Sequence, residues 1–236
     1  MPTVETTSPT GMPTLLLLAS RARREVTKET LATLNDDVVN NIIVDSINDA
    51  IEDIYFRAKW SWAKVTSSLT MVASQSEYTF PADFHRLATE IEIGSTKLPE
   101  VDAEEWARKT YVSGIGIVTP GQPTMYMVDR TFVKFFPTPS ADFITTVPTV
   151  ALVYYRRPAK RMVLADSASA PDIPVEFKEA LVRFAMGRLK IFRQFDDFGL
   201  DLQRYEDIVQ RQLNANTVSV HPPRIRPRNW ASANYG

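Results

Sequence analysis

Two histidines, His85 and His221, are the only imidazoles in the chain and its first candidates for a catalytic group. His85 lies in Pro81-Ala82-Asp83-Phe84-His85-Arg86, at a turn into a candidate strand, with Asp83 close enough in sequence to orient its ring. A His–Asp pair makes a hydrolase only beside a nucleophile on a strained, exposed turn, and no Gly-x-Ser-x-Gly is present. His85 therefore reads as a turn residue. His221 belongs to a proline-rich tail. The carboxylate pairs Asp36/Asp37, Glu104/Glu105 and Asp196/Asp197 are adjacent residues, which point apart on a helix and serve as caps or solvated faces. No His-Glu-x-x-His or calcium-loop pattern occurs, so no metal and no cofactor is expected. Gly114, Gly116 and Gly121 miss both the dinucleotide fingerprint and the phosphate loop. Asp197-Phe198-Gly199 spells a kinase triplet but falls between two helical patterns, without a catalytic loop upstream, and reads as a helix break. The chain is expected not to be an enzyme.

Two other segments stand above background. Trp60 and Trp62 close the first long helical pattern, two residues apart and so on different faces. One can anchor that helix on the middle of the chain; the other is either core or a contact with a neighbouring subunit. The stretch Val218–Gly236 carries Arg224, Arg226 and Arg228 among prolines, then Trp230 and Tyr235, with no acidic residue. Such residues anchor interfaces, and a proline-stiffened arm loses little entropy on docking.

The elements that must position these groups follow from periodicity. Residues 1–13 form a flexible arm rich in Thr, Ser and Pro. A short helix from Thr14 to about Glu25 is followed by a long one over Asp36–Trp62, with Val39, Ile43, Ile47, Ile51, Ile54 and Ala58 at spacings of three and four. The period then shortens. Leu69–Ala73, Tyr78–Phe80, Leu87–Ile93, Thr124–Asp129, Thr131–Phe136 and Thr149–Arg157 read as strands, with one capped helix over Asp102–Lys109 and a glycine-bearing loop over Ser113–Pro123. Helical spacing returns at Pro174, where Asp172 can cap, and runs through Phe177, Leu181, Leu189, Phe192 and Phe195. A last helix covers Leu200–Leu213, and beyond Asn216 the prolines end independent folding. The expected fold is α+β: a helical bundle from residues 14–66 and 174–216, an antiparallel β module inserted over 67–173, and an extended arm over 217–236.

Composition sets the outer bounds. The chain has 236 residues, a 44% hydrophobic fraction, a net charge of −1 and no cysteine. It can bury a core, holds no disulfide, and lacks the basic excess of a dedicated nucleic-acid binder. No apolar run is long enough to span a membrane.

The order of motifs is more specific than any one of them. Arg57-Ala-Lys-Trp60-Ser-Trp62 is followed by Tyr78-Thr-Phe80-Pro81-Ala-Asp83-Phe84, Gly121-Gln-Pro123-x-x-Tyr126 and Val133-Lys-Phe135-Phe136-Pro137-Thr-Pro139. Val153-Tyr154-Tyr155-Arg156-Arg157-Pro158 and Ile173-Pro174-x-x-Phe177-x-x-Ala180-Leu181 complete the series. The run resembles the head-to-tail adaptor (connector, or head-completion) proteins of tailed bacteriophages, well over 38–186 and weakly at the termini. The resemblance implies a virion structural protein of the neck, made in the bacterial host cytoplasm. Copies would form a homo-oligomeric ring, a dodecamer matched to the portal protein, with a tail or nozzle protein docked below and no membrane contact. The ring would extend the channel for genomic DNA without sequence-specific binding, and the C-terminal arm would reach the portal. The competing readings are another neck or tail ring component, such as a tail terminator or baseplate-like subunit, an enzyme of a type the motifs do not reveal, and a DNA-binding module using the arginine tail.

Overall fold

The computed structural model describes residues 11–29, 37–111, 119–158 and 160–220. The chain divides into two compact units, the cuts falling after Ala50 and after Met162. Helices dominate the first unit and strands the second, which is the α+β class.

In the helical unit, α1 (Leu15–Thr27) starts at Thr14, whose hydroxyl accepts from the Leu17 N–H. Two further N–H groups of its first turn, those of Leu15 and Leu16, donate to the carbonyls of Ser169 and Ser167. Orphan donors at a helix start need such acceptors. Leu15, Leu18, Ala19 and Ala22 form its buried stripe. The next helix, α2 (Val38–Arg57), of which residues 38–50 belong to this unit, begins behind Asp37, whose carboxylate accepts from the Asn40 N–H at 2.8 Å. Later in the chain, α5 (Lys178–Phe192) packs against α1 and against α6 (Phe198–Val220). The α5–α6 crossing is close because residue 187 is glycine: a Cβ there would meet Leu202 Cδ2 at 2.7 Å.

In the β unit, β1 (Lys64–Thr70) pairs antiparallel with β8 (Thr149–Arg156), which pairs on its other side with β3 (Phe84–Leu87). A second sheet has the order β2 (Glu77–Thr79), β7 (Phe132–Phe136), β6 (Met125–Asp129). The β6–β7 hairpin turns through Arg130 at φ 47°. Leu69, Phe84, Leu152 and Tyr154 of the first sheet share one core with Tyr78, Tyr126, Val133 and Phe135 of the second. The far side of the second sheet is covered by α3 (Ala103–Tyr111) and the residues just ahead of it, with Trp106 and Val101 packed on Met125, Met127 and Phe136. The unit is thus layered: sheet, core, sheet, helix. A two-stranded ribbon, β4 (Glu92–Ile93) and β5 (Thr96–Lys97), and a short helix α4 (Ala141–Thr146) complete it.

Several sequence expectations are corrected. The helix expected over Asp36–Trp62 stops at Arg57, and Trp60 is extended, at φ −66° and ψ 131°. Its indole N–H donates to the Ile54 carbonyl, one of the acceptors that a helix end leaves unpaired. The alternating stretch Leu87–Ile93 is not one strand: pairing with β8 ends at Leu87, and Glu92–Ile93 pairs with β5 instead. The first strand begins at Lys64 rather than Leu69, and α4, capped by the Ser140 hydroxyl, is a helix too short for periodicity to announce. Asp172 is not at a helix start; a 3₁₀ turn over Val175–Phe177 precedes α5. Helix α5 ends before Phe195, and α6 continues past Asn216 to Val220.

Candidate assembly surfaces

A ladder of opposite charges runs through the helical unit. Arg21 on α1 meets Glu179 on α5 at 2.6 Å, and Glu179 also accepts from Arg183 at 2.8 Å. Arg183 continues to Asp201 on α6 at 2.9 Å, and Lys190 reaches both Asp201 at 2.8 Å and Asp197 at 2.6 Å. Asp201 is 2% exposed. Burial opposes its ionisation, but hydrogen bonds from Lys190 and Arg183 outweigh that and hold its carboxyl below the usual range. Burial likewise works against the charge on Lys190, and its bonds to Asp197 and Asp201 win, raising its affinity for the proton. A second knot holds Arg23 at 3.0 Å from Asp37 and 2.8 Å from Glu29.

Beyond the ladder the α5–α6 corner is apolar and open. Ile191, Phe192, Phe195, Phe198 and Leu200 are all exposed, Leu200 by 58%. Phe192 and Phe195 were expected to continue a core stripe; they stand on the surface instead. A shallow groove of about 360 Å³ beside them is lined by Ile42, Asp45, Ser46, Asp49 and Arg188.

In the β unit Asp83, close to His85 in sequence, does not orient its ring. The Tyr154 hydroxyl donates to Asp83 at 2.9 Å, while His85 packs edge-on against Phe56. His85 is the extra residue where the β3–β8 register shifts. Burial, with the positive charges of Arg86 and Arg157, lowers its proton affinity. Burial and Asp83 push the Tyr154 phenol upward in the same way. The neighbouring cations are held by groups other than carboxylates. Arg86 lies over the Tyr155 ring at 5.6 Å, and its buried Nε has no hydrogen-bond partner among the described residues. Arg157 donates from Nη2 and Nε to the Ala82 carbonyl at 3.0 and 3.3 Å.

The two tryptophans do not diverge as their spacing implied. With the helix ended at Arg57 they stack, ring centroids 6.1 Å apart. Trp60 is 1% exposed and offers no surface to a neighbouring subunit; Trp62 is half-buried. The expected arm residues Arg224, Arg226, Arg228, Trp230 and Tyr235 lie outside the described residues. Among the described residues no cluster of three or more His, Asp or Glu could hold a metal ion, and no helix is long and apolar enough to cross a membrane.

Surfaces of this kind, with charge fixed in ladders and aromatics left open, suit assembly. A family model describing the SU10 adaptor protein matches residues 13–229, across both units. The chain belongs to the SU10 adaptor protein family. This is a family of phage head–tail adaptors, so the chain is a bacteriophage structural protein of the adaptor type, interacting with head and tail components. The SU10 adaptor match includes the three tail arginines and ends before Trp230 and Tyr235. A search of curated protein sequences found no match.

The sequence reading missed the charge ladder. Its local signal was the Glu179–Arg183 spacing of four. Nothing local joins Arg183 and Lys190 to Asp201, because that requires α6 to fold back along α5.

Proposed function

We propose that copies of this SU10 adaptor assemble into a ring, a dodecamer matched to the portal protein, between portal and tail in the virion neck. The ring extends the channel through which genomic DNA passes without sequence-specific binding, and its lower face receives a tail or nozzle protein. The subunit is not an enzyme; it is made in the bacterial host cytoplasm and acts by geometry. The observation that carries this reading is the family match over residues 13–229. The near-neutral net charge of −1 supports it, since a strongly basic lumen would grip phosphates.

The C-terminal segment is the portal-binding element in this reading. Arg224, Arg226 and Arg228 suit acidic grooves, and Trp230 and Tyr235 supply desolvated anchors. Trp62 remains a candidate contact between subunits. Because α6 runs to Val220, the informative truncation removes residues 221–236 and leaves the helix whole. Native mass measurement of the full chain with portal should give a ring mass, and the same measurement on the chain alone gives its state before assembly. Co-sedimentation with portal rings should recover the full chain and lose the truncated one. Equal recovery of the two would move portal docking to the folded body.

A further inference from the structure

The layering of the β unit puts unlike charges on opposite sides. The inward side of the first sheet is core. Its outward side follows from register: Lys64 is opposite Tyr155, and Tyr155 is opposite Arg86, so these three form one row across β1, β8 and β3. Arg157 follows two residues along from Tyr155. The remaining outward positions of β1 and β8 are Thr66, Ser68 and Thr70, and Thr149, Ala151 and Val153. This face therefore carries three cations, four hydroxyls and a tyrosine, with no carboxylate among those strand positions. Arg86 and Arg157 are ordered by a ring and a carbonyl, which fix their direction without neutralising them.

On the far side, beyond the second sheet, a groove of about 670 Å³ runs between α3 and β6. Its charged lining is Glu100, Asp102, Glu105 and Asp129, with no cation. Lys109 pairs with Glu105 at 2.9 Å, and Asp102 caps α3 by accepting from the Glu105 N–H at 2.8 Å. Among the described residues neither Glu100 nor Asp129 is in an ion pair; the Tyr126 hydroxyl donates to Glu100 at 3.4 Å.

We propose that the β units of neighbouring copies dock head to tail, the Lys64–Tyr155–Arg86 face of one against the α3–β6 groove of the next. A heterologous contact closes a ring only when two different surfaces of one chain are complementary. Opposite layers bearing opposite charge meet that condition. Duplex DNA is the other polyanion of this setting. The second copy is favoured because the matching acidic surface is present on the chain itself, whereas a phosphate-gripping face would retard a passing genome. Exposed pairs contribute little each, so the contact sets orientation and rejects misdocking more than it adds affinity.

The proposal rests on the ring reading, and charge reversal separates the two. The measurement is native mass of full-length protein assembled with portal rings, each variant first checked for an unchanged melt. Lys64→Glu with Arg157→Glu, both exposed positions, should reduce ring occupancy by on the order of tenfold, as should Glu100→Lys with Asp129→Lys. The chain carrying all four changes should regain assembly, as should an equimolar mixture of the two double variants. Wild-type rings left intact by both double variants would defeat this contact and leave the ring standing. Failure of the four-fold variant to recover would defeat it as well. Duplex DNA binding lost in Lys64→Glu/Arg157→Glu while ring mass is unchanged would assign the face to DNA and overturn the proposal. A wild-type chain that stays monomeric with portal would defeat the ring reading and this contact together.

Discussion

One set of basic side chains in each unit shows two opposite ways of holding a cation. In the helical unit Arg21, Arg23, Arg183 and Lys190 each meet a carboxylate within 3.0 Å. At the end of the first sheet Arg86 and Arg157 are ordered by a tyrosine ring and a backbone carbonyl. The first arrangement cancels charge and fastens helices together; the second keeps charge outward and leaves packing to the aromatic core beneath. A guanidinium can therefore be equally well ordered and yet be either structural or available, and only its partners distinguish the two.

The largest effect that tests the contrast comes from the apolar side of the helical unit. Leu181 is fully buried on α5. Leu181→Asp would bury a charge with no partner arranged for it, and a loss of about 4 kcal/mol or more should unfold the helical unit. Urea denaturation followed by far-UV circular dichroism is the check; a transition close to that of the parent would show that α5 is not the centre of this unit.

Next comes the ladder itself. Asp201→Asn leaves Arg183 and Lys190 without their shared counter-charge and should cost on the order of 2–3 kcal/mol, below the range for a fully buried pair because Lys190 and Arg183 keep some exposure. The pH dependence has a definite sign. The Asp201 carboxyl is depressed in the folded state, so its contribution is complete above the ordinary carboxylate value and fades as pH falls through the lower folded value. Melts of parent and Asp201→Asn should converge as the solution is acidified through that window, and a gap that stays constant would deny the ladder its electrostatic part.

The smallest effect separates the units most directly. Arg183→Gln should destabilise by about 1–3 kcal/mol, whereas Arg157→Gln should fall within about 0.5 kcal/mol of the parent. Added salt should narrow the first difference by screening the ladder. Equal losses at the two positions in thermal melts would erase the distinction.

How much of this was legible depends on whether the signal was local. The capped starts at Thr14, Asp37 and Asp102 were readable because a cap needs only the next few residues. The α+β class followed from a change of period. The end of α2 was not readable: Ala58 and Trp62 extend a helical spacing, and only the tertiary burial of Trp60, with its indole on the Ile54 carbonyl, halts the helix at Arg57. The exposed corner failed for a related reason. Phe192 and Phe195 have the composition of a core stripe, and nothing in the local sequence says that they stand exposed while Leu189 turns inward. The arm residues were read from composition alone and lie outside the described structure.

The backbone bonds from Leu15 and Leu16 to Ser169 and Ser167 also bear on the order in which the polypeptide takes shape during synthesis. The β unit is one continuous stretch and can fold as it leaves the ribosome. The opening helix meets its acceptors only after that whole stretch has been translated, about 150 residues later, a wait of roughly 8–30 s at typical elongation rates. Through that interval Leu15, Leu18 and Ala22 have no partner surface from the far end of the chain. Nascent chains arrested with residue 169 still inside the ribosomal exit tunnel and with it already clear of the tunnel should differ sharply in their dependence on host chaperones.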